Sequence, residues 1–192
     1  MPDAIRAFIA LDISQSVRQE AEQLIDNLRH IGADVKWSDP QQMHMTLKFL
    51  GDTPGNQIPE VSSVLEQLSH RYAPLTLIAT SVGAFPNLRG PRVVWLGVGG
   101  DVDALYRLQQ ELEEQLLVIG IPREERAFHP HVTLGRVRSS ERLQELAQRL
   151  SEQQGLASDM SWKADRVVLV QSTLTPDGPI YRVLSTMTLD GV

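Results

Sequence analysis

The 192-residue sequence contains no cysteine, and this absence excludes several kinds of chemistry. Without thiols the chain has no disulfide, no zinc–thiolate site and no cysteine nucleophile. Long apolar runs are missing too, since no segment approaches the roughly 20 apolar residues of a membrane-spanning helix. The first residues lack a basic region followed by an apolar stretch and a small-residue cleavage site, so we expect no secretory signal. Together these features favour a cytoplasmic protein.

Basic residues are in the minority, with 18 Lys and Arg against 24 Asp and Glu, for a net charge of −6. Proteins that coat long nucleic acids by releasing counterions are usually basic. If the ligand is a nucleic acid, we therefore expect contact with an end or a few nucleotides through a local basic patch. Arg89 and Arg92 flank a Gly/Pro loop and are candidates for part of such a patch.

Periodicity and turn residues predict an α+β protein. Ser14 or Ser16 is predicted to cap the first helix, and Asp101 or Asp103 the third. We expect turns at 51–55 and 175–178, and a chain break at the glycine pair 99–100. No linker or low-complexity stretch divides the chain, which predicts one domain over residues 1–192. The predicted strands are 4–11, 35–37, 43–50, 75–84, 91–98, 131–137, 164–174 and 179–189, and the predicted helices are 14–31, 59–70, 101–119 and one from Ser139 or Ser140 through Leu150.

One tetrapeptide pattern, His–apolar–Thr–Leu, occurs at residues 44–47 and again 87 positions later at 131–134. With five His and nine Thr in the chain, about 0.2 His-x-Thr matches are expected by chance. Residues i and i+2 of a strand project from the same face, so each copy predicts a His and a Thr that project together. Two such strands side by side would gather two imidazoles and two hydroxyls around one small volume.

The segments around the two motifs are predicted to share an architecture. Each motif strand is preceded by a helix and followed by a helix and two strands, although the halves are not alike in sequence beyond the motif. This repeat predicts two lobes related by an approximate two-fold axis. Each lobe would have an antiparallel sheet with helices outside, and the motif strands would face each other across a central cleft.

Paired His-x-Thr residues suit acid–base chemistry on a phosphate ester. Imidazole has an unperturbed pKa near 6.5, so one His can be neutral while the other is protonated. The neutral His can take a proton from water while the protonated one donates to a leaving oxygen. Thr hydroxyls can hold non-bridging phosphoryl oxygens. Because phosphoryl transfer needs attacking and leaving oxygens roughly in line, two His on opposite walls satisfy its geometry.

The segments HMTLKFLG (44–51) and HVTLGR (131–136) resemble the paired motifs of the 2H phosphoesterase superfamily. Within it the chain is most similar to the RNA 2′,3′-cyclic phosphodiesterases, long labelled 2′-5′ RNA ligases. The resemblance covers nearly the whole chain and includes the segments RAFIAL (6–11) and RVVWLG (92–97). It implies a bilobal 2H phosphoesterase fold. The implied reaction is hydrolysis of an RNA 2′,3′-cyclic phosphate to a 2′-phosphate without a metal or cofactor.

The resemblance also implies roles for individual residues. His44 would protonate the leaving 3′ oxygen, His131 would act as general base on water, and Thr46 and Thr133 would bind phosphoryl oxygens. The residues alone do not decide which His has which role. Arg136 is also a candidate for phosphate binding, because relatives often carry a basic residue there. Its odd separation from His131 would place it on the other face of an ideal strand, unless a bulge turns it inward.

Other residues have both a functional and a structural interpretation. Lys48 would share a strand face with His44, and we favour a solvated lysine over a cation of the cleft. Phe8, Phe49, Phe128 and Trp37 are candidates for base stacking, with core packing as the alternative. Phe128, in an irregular segment before His131, is expected to be the most exposed of them.

His129 and His131 could suggest a metal pair, but no carboxylate or Cys cluster nearby completes a site, so we predict none. Several alternatives remain for the function. The protein could be a 2′-5′ RNA ligase, or a phosphodiesterase for a small nucleotide such as ADP-ribose 1″,2″-cyclic phosphate. A non-catalytic module that binds RNA ends or nucleotides would use the same cleft. We expect a monomer that acts on RNA or oligonucleotide ends and does not bind membranes.

Overall fold

A computed structural model describes residues 4–153, 160–176 and 178–191 of the chain. Within these residues nine strands and four α-helices form, together with short 3₁₀ turns at Pro40–Gln42 and Gly55–Gln57. None of these helices is both long and apolar enough to cross a membrane. The strands are β1 (Ala4–Leu11), β2 (Val35–Trp37), β3 (Met45–Pro54), β4 (Leu75–Phe85), β5 (Val93–Gly100), β6 (His131–Val137), β7 (Ser161–Ala164), β8 (Arg166–Thr175) and β9 (Gly178–Thr188). The helices are α1 (Gln15–Arg29), α2 (Ile58–Ser69), α3 (Val102–Val118) and α4 (Leu143–Gln153).

The strands form two antiparallel sheets, one for each lobe. The first sheet has the order β3-β1-β8-β9, and the second has the order β2-β6-β5-β4-β7. One motif strand, β3, belongs to the first sheet, and the other, β6, belongs to the second. The two motif strands lie against each other, which confirms the predicted two-lobed α+β fold with a cleft between facing motifs.

The helices form where the sequence carries an apolar stripe. In α1 the buried residues recur at helical spacing, and Ser14 caps the helix by accepting a hydrogen bond at Oγ from the Val17 amide. In α3 the leucines from Leu105 to Leu116 are buried in the same way. These stripes join one apolar core that includes residues from both sheets. Asp101 precedes α3 as predicted, but its carboxylate accepts from the Thr76 amide and not from its own helix.

The lobes do not correspond to the two halves of the sequence, as a simple tandem repeat would require. After β3 the chain passes through α2 into the second sheet, where β4 and β5 lie. After β6 and α4 it first adds β7 to the second sheet and then returns to the first with β8 and β9. The predicted strand at 164–174 corresponds to β8, and the short strand β7 before it was not predicted. Each lobe is completed by strands from the opposite half, which ties the two motifs into one structure.

Two segments that were predicted to interrupt strands, 51–55 and 99–100, are largely part of strands in the structure. The turn predicted at 51–55 is wrong for most of its length, because β3 continues through Pro54 and pairs with β1 as far as Ala4. Gly51 has φ +68, which lets the strand bend there without ending. Likewise β5 runs through Gly100, whose φ is +89. A Cβ there would lie 2.4 Å from the Thr76 carbonyl oxygen, so a close backbone approach explains this glycine. The turn predicted at 175–178 includes residue 177, which lies outside the described residues.

Candidate active site

The first motif strand, β3, changes its side-chain alternation directly after Thr46. Ala10 of β1 pairs with Thr46, whereas the preceding Ile9 pairs with Lys48, so Leu47 is an extra residue in β3. Such a bulge reverses the face to which the following side chains point. Thr46 therefore lies on the cleft face of the sheet, while Lys48 points to the opposite face.

The second motif strand, β6, carries the same irregularity at the equivalent position. Trp95 of β5 pairs with Thr133, and the adjacent Val94 pairs with Gly135, so Leu134 is the extra residue. Because of this bulge Arg136 shares the cleft face with Thr133, although it is five residues from His131. The structure therefore selects the inward alternative for Arg136. Its positive charge lowers the pKa of both His131 and Tyr181, against the larger effect of burial in the case of Tyr181.

The two motif histidines are held in the same way. His44 Nδ1 donates to the carbonyl oxygen of Gln42 at 2.9 Å, and His131 Nδ1 donates to that of His129 at 2.6 Å. A carbonyl oxygen only accepts hydrogen bonds, so each neutral ring carries its proton on Nδ1 and its lone pair on Nε2. Within the described residues no partner occupies either Nε2. Both rings thus present an Nε2 that can accept a proton, or donate one once the ring is charged.

Burial lowers the pKa of both histidines below 6.5. For His44 desolvation is the largest cause, and the Gln42 carbonyl opposes it by stabilising the charged ring. The charge of His131 lowers the pKa of His44 further, so the two rings interact electrostatically. For His131 desolvation is again the largest cause, opposed by the His129 carbonyl and reinforced by the charges of His129 and Arg136. The neutral forms are therefore favoured in the unliganded protein.

Aromatic side chains fix the two imidazole rings. Phe8 stacks on His44 with ring centroids 4.4 Å apart, and Tyr181 meets the same ring edge-on at 5.4 Å. On the opposite wall Phe85 packs against His131 in an edge-to-face contact at 5.0 Å. Tyr181 and Phe85 were missed in the sequence, since no motif marks either of them. Burial raises the pKa of Tyr181, so its hydroxyl stays protonated and can donate at neutral pH.

Arg18 anchors the segment that leads to His44. From α1 its guanidinium donates to the carbonyl oxygens of Pro40 (2.9 Å), Gln41 (3.1 Å) and Met43 (2.8 Å), and it pairs with Asp12 at 2.8 Å. A planar group with five donors can hold several carbonyls at once. This clamp fixes the residues immediately before His44, and no pattern in the sequence indicates it.

Lys48 anchors the segment that leads to His131, so its interpretation as a solvated lysine was wrong. Its side chain is only 1% exposed, and its Nζ donates to Glu113 at 2.6 Å and to the Pro122 carbonyl oxygen at 2.8 Å. Glu113 also accepts from the Glu124 amide at 3.3 Å. The bulge at Leu47 explains the error, because it turns Lys48 from the cleft face to the core face.

The candidate stacking residues differ in exposure. Phe8 is 3% exposed and covered by the His44 ring, whereas Phe49 is 55% exposed on the cleft face. Phe128 is half-buried and packs against Tyr106 with ring centroids 5.7 Å apart, and Trp37 is half-buried as well. The expectation that Phe128 would be the most exposed is wrong, because its segment folds back onto α3. Phe49 is the aromatic ring of this set that is open to a ligand.

In the described ranges no group of three or more Asp, Glu or His side chains is arranged to hold a metal ion. His129 lies beside Phe85, with ring centroids 6.0 Å apart. Its backbone carbonyl holds His131, as described above. The cleft brings together the imidazoles of His44 and His131, the hydroxyls of Thr46 and Thr133, the Tyr181 side chain and the Arg136 guanidinium.

Comparison with known proteins agrees with this site. A family model described as the 2′-5′ RNA ligase superfamily matches residues 16–175. The RNA 2′,3′-cyclic phosphodiesterase of Methanothermobacter thermautotrophicus is 35% identical over 92% of this chain and 95% of that protein. The protein of the same name from Aquifex aeolicus is 34% identical over 97% of this chain and 98% of its own length.

Solved structures share the fold. The crystal structure of TT0787 of Thermus thermophilus superimposes with a TM-score of 0.82 at 27% identity, covering 97% of this chain and 99% of that one. Escherichia coli LigT in complex with 3′-AMP gives a TM-score of 0.74 at 23% identity, over 97% of this chain and 98% of that one. Facing His-x-Thr strands in a two-lobed cleft define the 2H phosphoesterase class, as the sequence predicted. The chain belongs to the 2′-5′ RNA ligase superfamily.

Proposed function

We propose that the protein hydrolyses RNA or oligonucleotide ends that carry a 2′,3′-cyclic phosphate and leaves a 2′-phosphate. The observation that carries this proposal is the matched tethering of His44 and His131, which presents two Nε2 atoms to one cleft. The names of the relatives, RNA 2′,3′-cyclic phosphodiesterase, support the same substrate.

The reaction is an in-line displacement that needs no metal or cofactor. His131 Nε2 takes a proton from water, and the water oxygen forms a bond to phosphorus. The bond from phosphorus to the 3′ oxygen breaks, and protonated His44 donates its Nε2 proton to that oxygen. Thr46, Thr133 and Arg136 donate to the non-bridging oxygens, where negative charge develops. Exchange with solvent then returns the two histidines to their starting charges.

The rest of the substrate lies along the two walls. Phe49 offers an exposed ring on the His44 wall for the base of the reacting nucleotide, because unstacked RNA bases are commonly held by aromatic side chains. Phe8 is buried beneath the His44 ring, on which it stacks, and does not contact the base. We further propose that the chain acts as one domain, as a cytoplasmic monomer. A dimer in a sedimentation measurement would contradict the proposed monomer.

The test is incubation of the protein with a short RNA that ends in a 2′,3′-cyclic phosphate, in the presence of EDTA. We expect a 2′-phosphate product whose position is read by chromatography against the 2′- and 3′-phosphate standards. Replacing His44 or His131 by Asn should lower turnover at least about 100-fold, because each removes one proton-transfer group. Binding of the product RNA should change little.

His30→Asn is the matched control. His30 Nδ1 also donates to a backbone carbonyl, that of Asp26, but the residue is exposed at the end of α1. Its replacement should leave turnover unchanged. A 3′-phosphate product, wild-type turnover in either motif variant, or loss of activity in EDTA would each contradict the mechanism. Binding of RNA ends without turnover would identify a non-catalytic module.

A further inference from the structure

A recess of about 510 Å³ lies where β4 ends and β5 begins, on the His131 wall of the cleft. Its volume falls within the range of roughly 300–1,000 Å³ that small-molecule sites occupy. Trp95 connects it with the motif, because Trp95 pairs with Thr133 across the ladder. A row of aromatic rings joins the recess to His131, because the Phe85 ring packs against both Trp95 and His131, with ring centroids 5.3 Å and 5.0 Å apart. The recess is lined by Gly83, Ala84, Asn87, Leu88, Arg89 and Trp95.

The floor of the recess is apolar and shaped by Trp95. The indole ring lies directly over Gly83, where a Cβ would come within 2.3 Å of the ring. A larger residue at Gly83 would push the indole into the recess, so this glycine keeps the recess open. Leu88 closes another side. An aromatic ring backed by aliphatic groups is the kind of surface on which a nucleobase stacks, independently of base identity.

The rim of the recess is polar and positive. The Asn87 side-chain oxygen accepts from the amides of Arg89 (2.9 Å) and Gly90 (3.2 Å), which fixes the loop. With its oxygen used in this way, the Asn87 amide group keeps its two N–H donors for a ligand. Arg89 is exposed, and no carboxylate in the described part of the chain pairs with its guanidinium. The rim therefore offers one amide and one unpaired cation beside an aromatic floor.

We propose that this recess binds the second nucleotide of the RNA, counted from the reacting end, with its base against Trp95 and with Arg89 at the phosphate that joins it to the terminal nucleotide. This inference rests on the proposed function, because it assumes that the reacting phosphate lies between His44 and His131. The terminal base then lies on the Phe49 wall, and the RNA crosses the cleft to the recess. A protein with a net charge of −6 contacts its RNA through this local cation and through Arg136, not through a broad basic surface.

The experiment compares two substrates, a nucleoside 2′,3′-cyclic phosphate and a dinucleotide that ends in the same cyclic nucleotide. Replacing Arg89 by Gln should lower kcat/KM for the dinucleotide about ten-fold, as expected for a charge-assisted phosphate contact. The mononucleotide should change less than about two-fold, since it has no group that reaches Arg89. The slope of log KM against log salt for the dinucleotide should fall by about 0.7, the value for one phosphate contact of a single strand.

Arg107→Gln is the matched control, because Arg107 is exposed on α3 and does not line the recess. It should leave the kcat/KM of both substrates unchanged. Equal losses on both substrates with Arg89→Gln would place the terminal base in the recess and overturn the proposal. No loss on either substrate would overturn it as well.

A binding measurement separates this proposal from the proposed function. The dinucleotide 2′-phosphate should quench tryptophan fluorescence in the wild type, and the quench should disappear in Trp95→Phe. Trp95 Nε1 is buried without a hydrogen-bond partner among the described residues, so the substitution removes no hydrogen bond. Quenching without turnover of any cyclic phosphate would support nucleotide binding in the recess and refute the proposed function. Turnover with no quenching and no preference for the dinucleotide would support the proposed function and refute nucleotide binding in the recess.

Discussion

The buried pair between Lys48 and Glu113 links the first motif strand to the segment that leads into the second motif. Their side chains are 1% and 9% exposed, and both also hold backbone groups of the segment after α3. In such a place, removing one partner leaves an uncompensated charge away from water. Measured costs of breaking buried pairs in this way are about 3–5 kcal/mol. We therefore expect Lys48→Met to lower the free energy of unfolding by about 4 kcal/mol.

The double variant Lys48→Met with Glu113→Gln distinguishes a buried charge from lost packing. The Glu113→Gln substitution removes the negative charge and keeps one side-chain oxygen, which can accept from the Glu124 amide. Its NH2 group then takes the place of the oxygen that accepts from Gln109, and a flip of the Gln109 amide presents an oxygen to it. The stranded charge is then gone, and the double variant should be only about 1–2 kcal/mol less stable than the wild type. Each single variant should lose more unfolding free energy than the double variant does. The coupling free energy in the double-mutant cycle should therefore exceed about 3 kcal/mol.

The assay is urea unfolding followed by circular dichroism, with the transition midpoint and slope determined for all four proteins. Arg149→Met is the control, since Arg149 and Glu152 form a half-exposed pair at 3.3 Å on α4. Exposed pairs contribute at most about 1 kcal/mol, so this variant should be nearly as stable as the wild type. A Lys48→Met variant within about 1 kcal/mol of the wild type, or strictly additive single variants, would refute the reasoning.

Three further predictions concern the cleft and its supports. Burial lowers the pKa of both His44 and His131, and activity needs one charged and one neutral ring, so kcat/KM should peak below pH 6.5 in a bell-shaped profile. A maximum above about pH 7 would contradict this assignment. Arg18→Met should lower kcat at least about ten-fold in steady-state assays while circular dichroism stays native, because three carbonyls before His44 lose their donor. Gly135→Ala should cost about 1–3 kcal/mol in urea unfolding, because its Cβ would lie 2.8 Å from the Trp37 ring; an unchanged midpoint would show that the ring simply moves aside.

The elements and the pairing of the two motifs could be predicted because they depend on local patterns. The apolar run of β1 and the motif strand β6 have the predicted bounds, and α1 begins after the predicted Ser14. Lys48 could not be placed, since its direction depends on a bulge that appears only when β3 pairs with β1. The continuation of β3 through Pro54 has the same origin, because pairing along the whole of β1 outweighs local turn residues.

Contacts between residues that are distant in the chain could not be predicted from the sequence either. Tyr181 reaches His44 only after β8 and β9 return to the first sheet, and a single aromatic residue in a strand carries no sign of this contact. Arg18 lies on the polar side of an amphipathic helix, where a solvated residue is the usual outcome. Its three carbonyl acceptors belong to a segment without regular strand or α-helical structure, so no periodic pattern relates them to α1.

The two walls of the cleft share a backbone plan but differ at one equivalent position, and this difference bears on the roles of the histidines. Five residues after each motif His, directly beyond the shared bulge, the His44 wall has Phe49 and the His131 wall has Arg136. An in-line displacement keeps the leaving ribose on one side of the phosphorus and water on the other. Under the proposed function we expect the nucleoside on the wall with the exposed aromatic ring, which would place the leaving 3′ oxygen near His44 and water near His131. If instead Phe49→Ala left the KM for a mononucleotide unchanged while Arg136→Gln weakened base discrimination, the nucleoside would lie on the other wall and the acid and base roles would be exchanged.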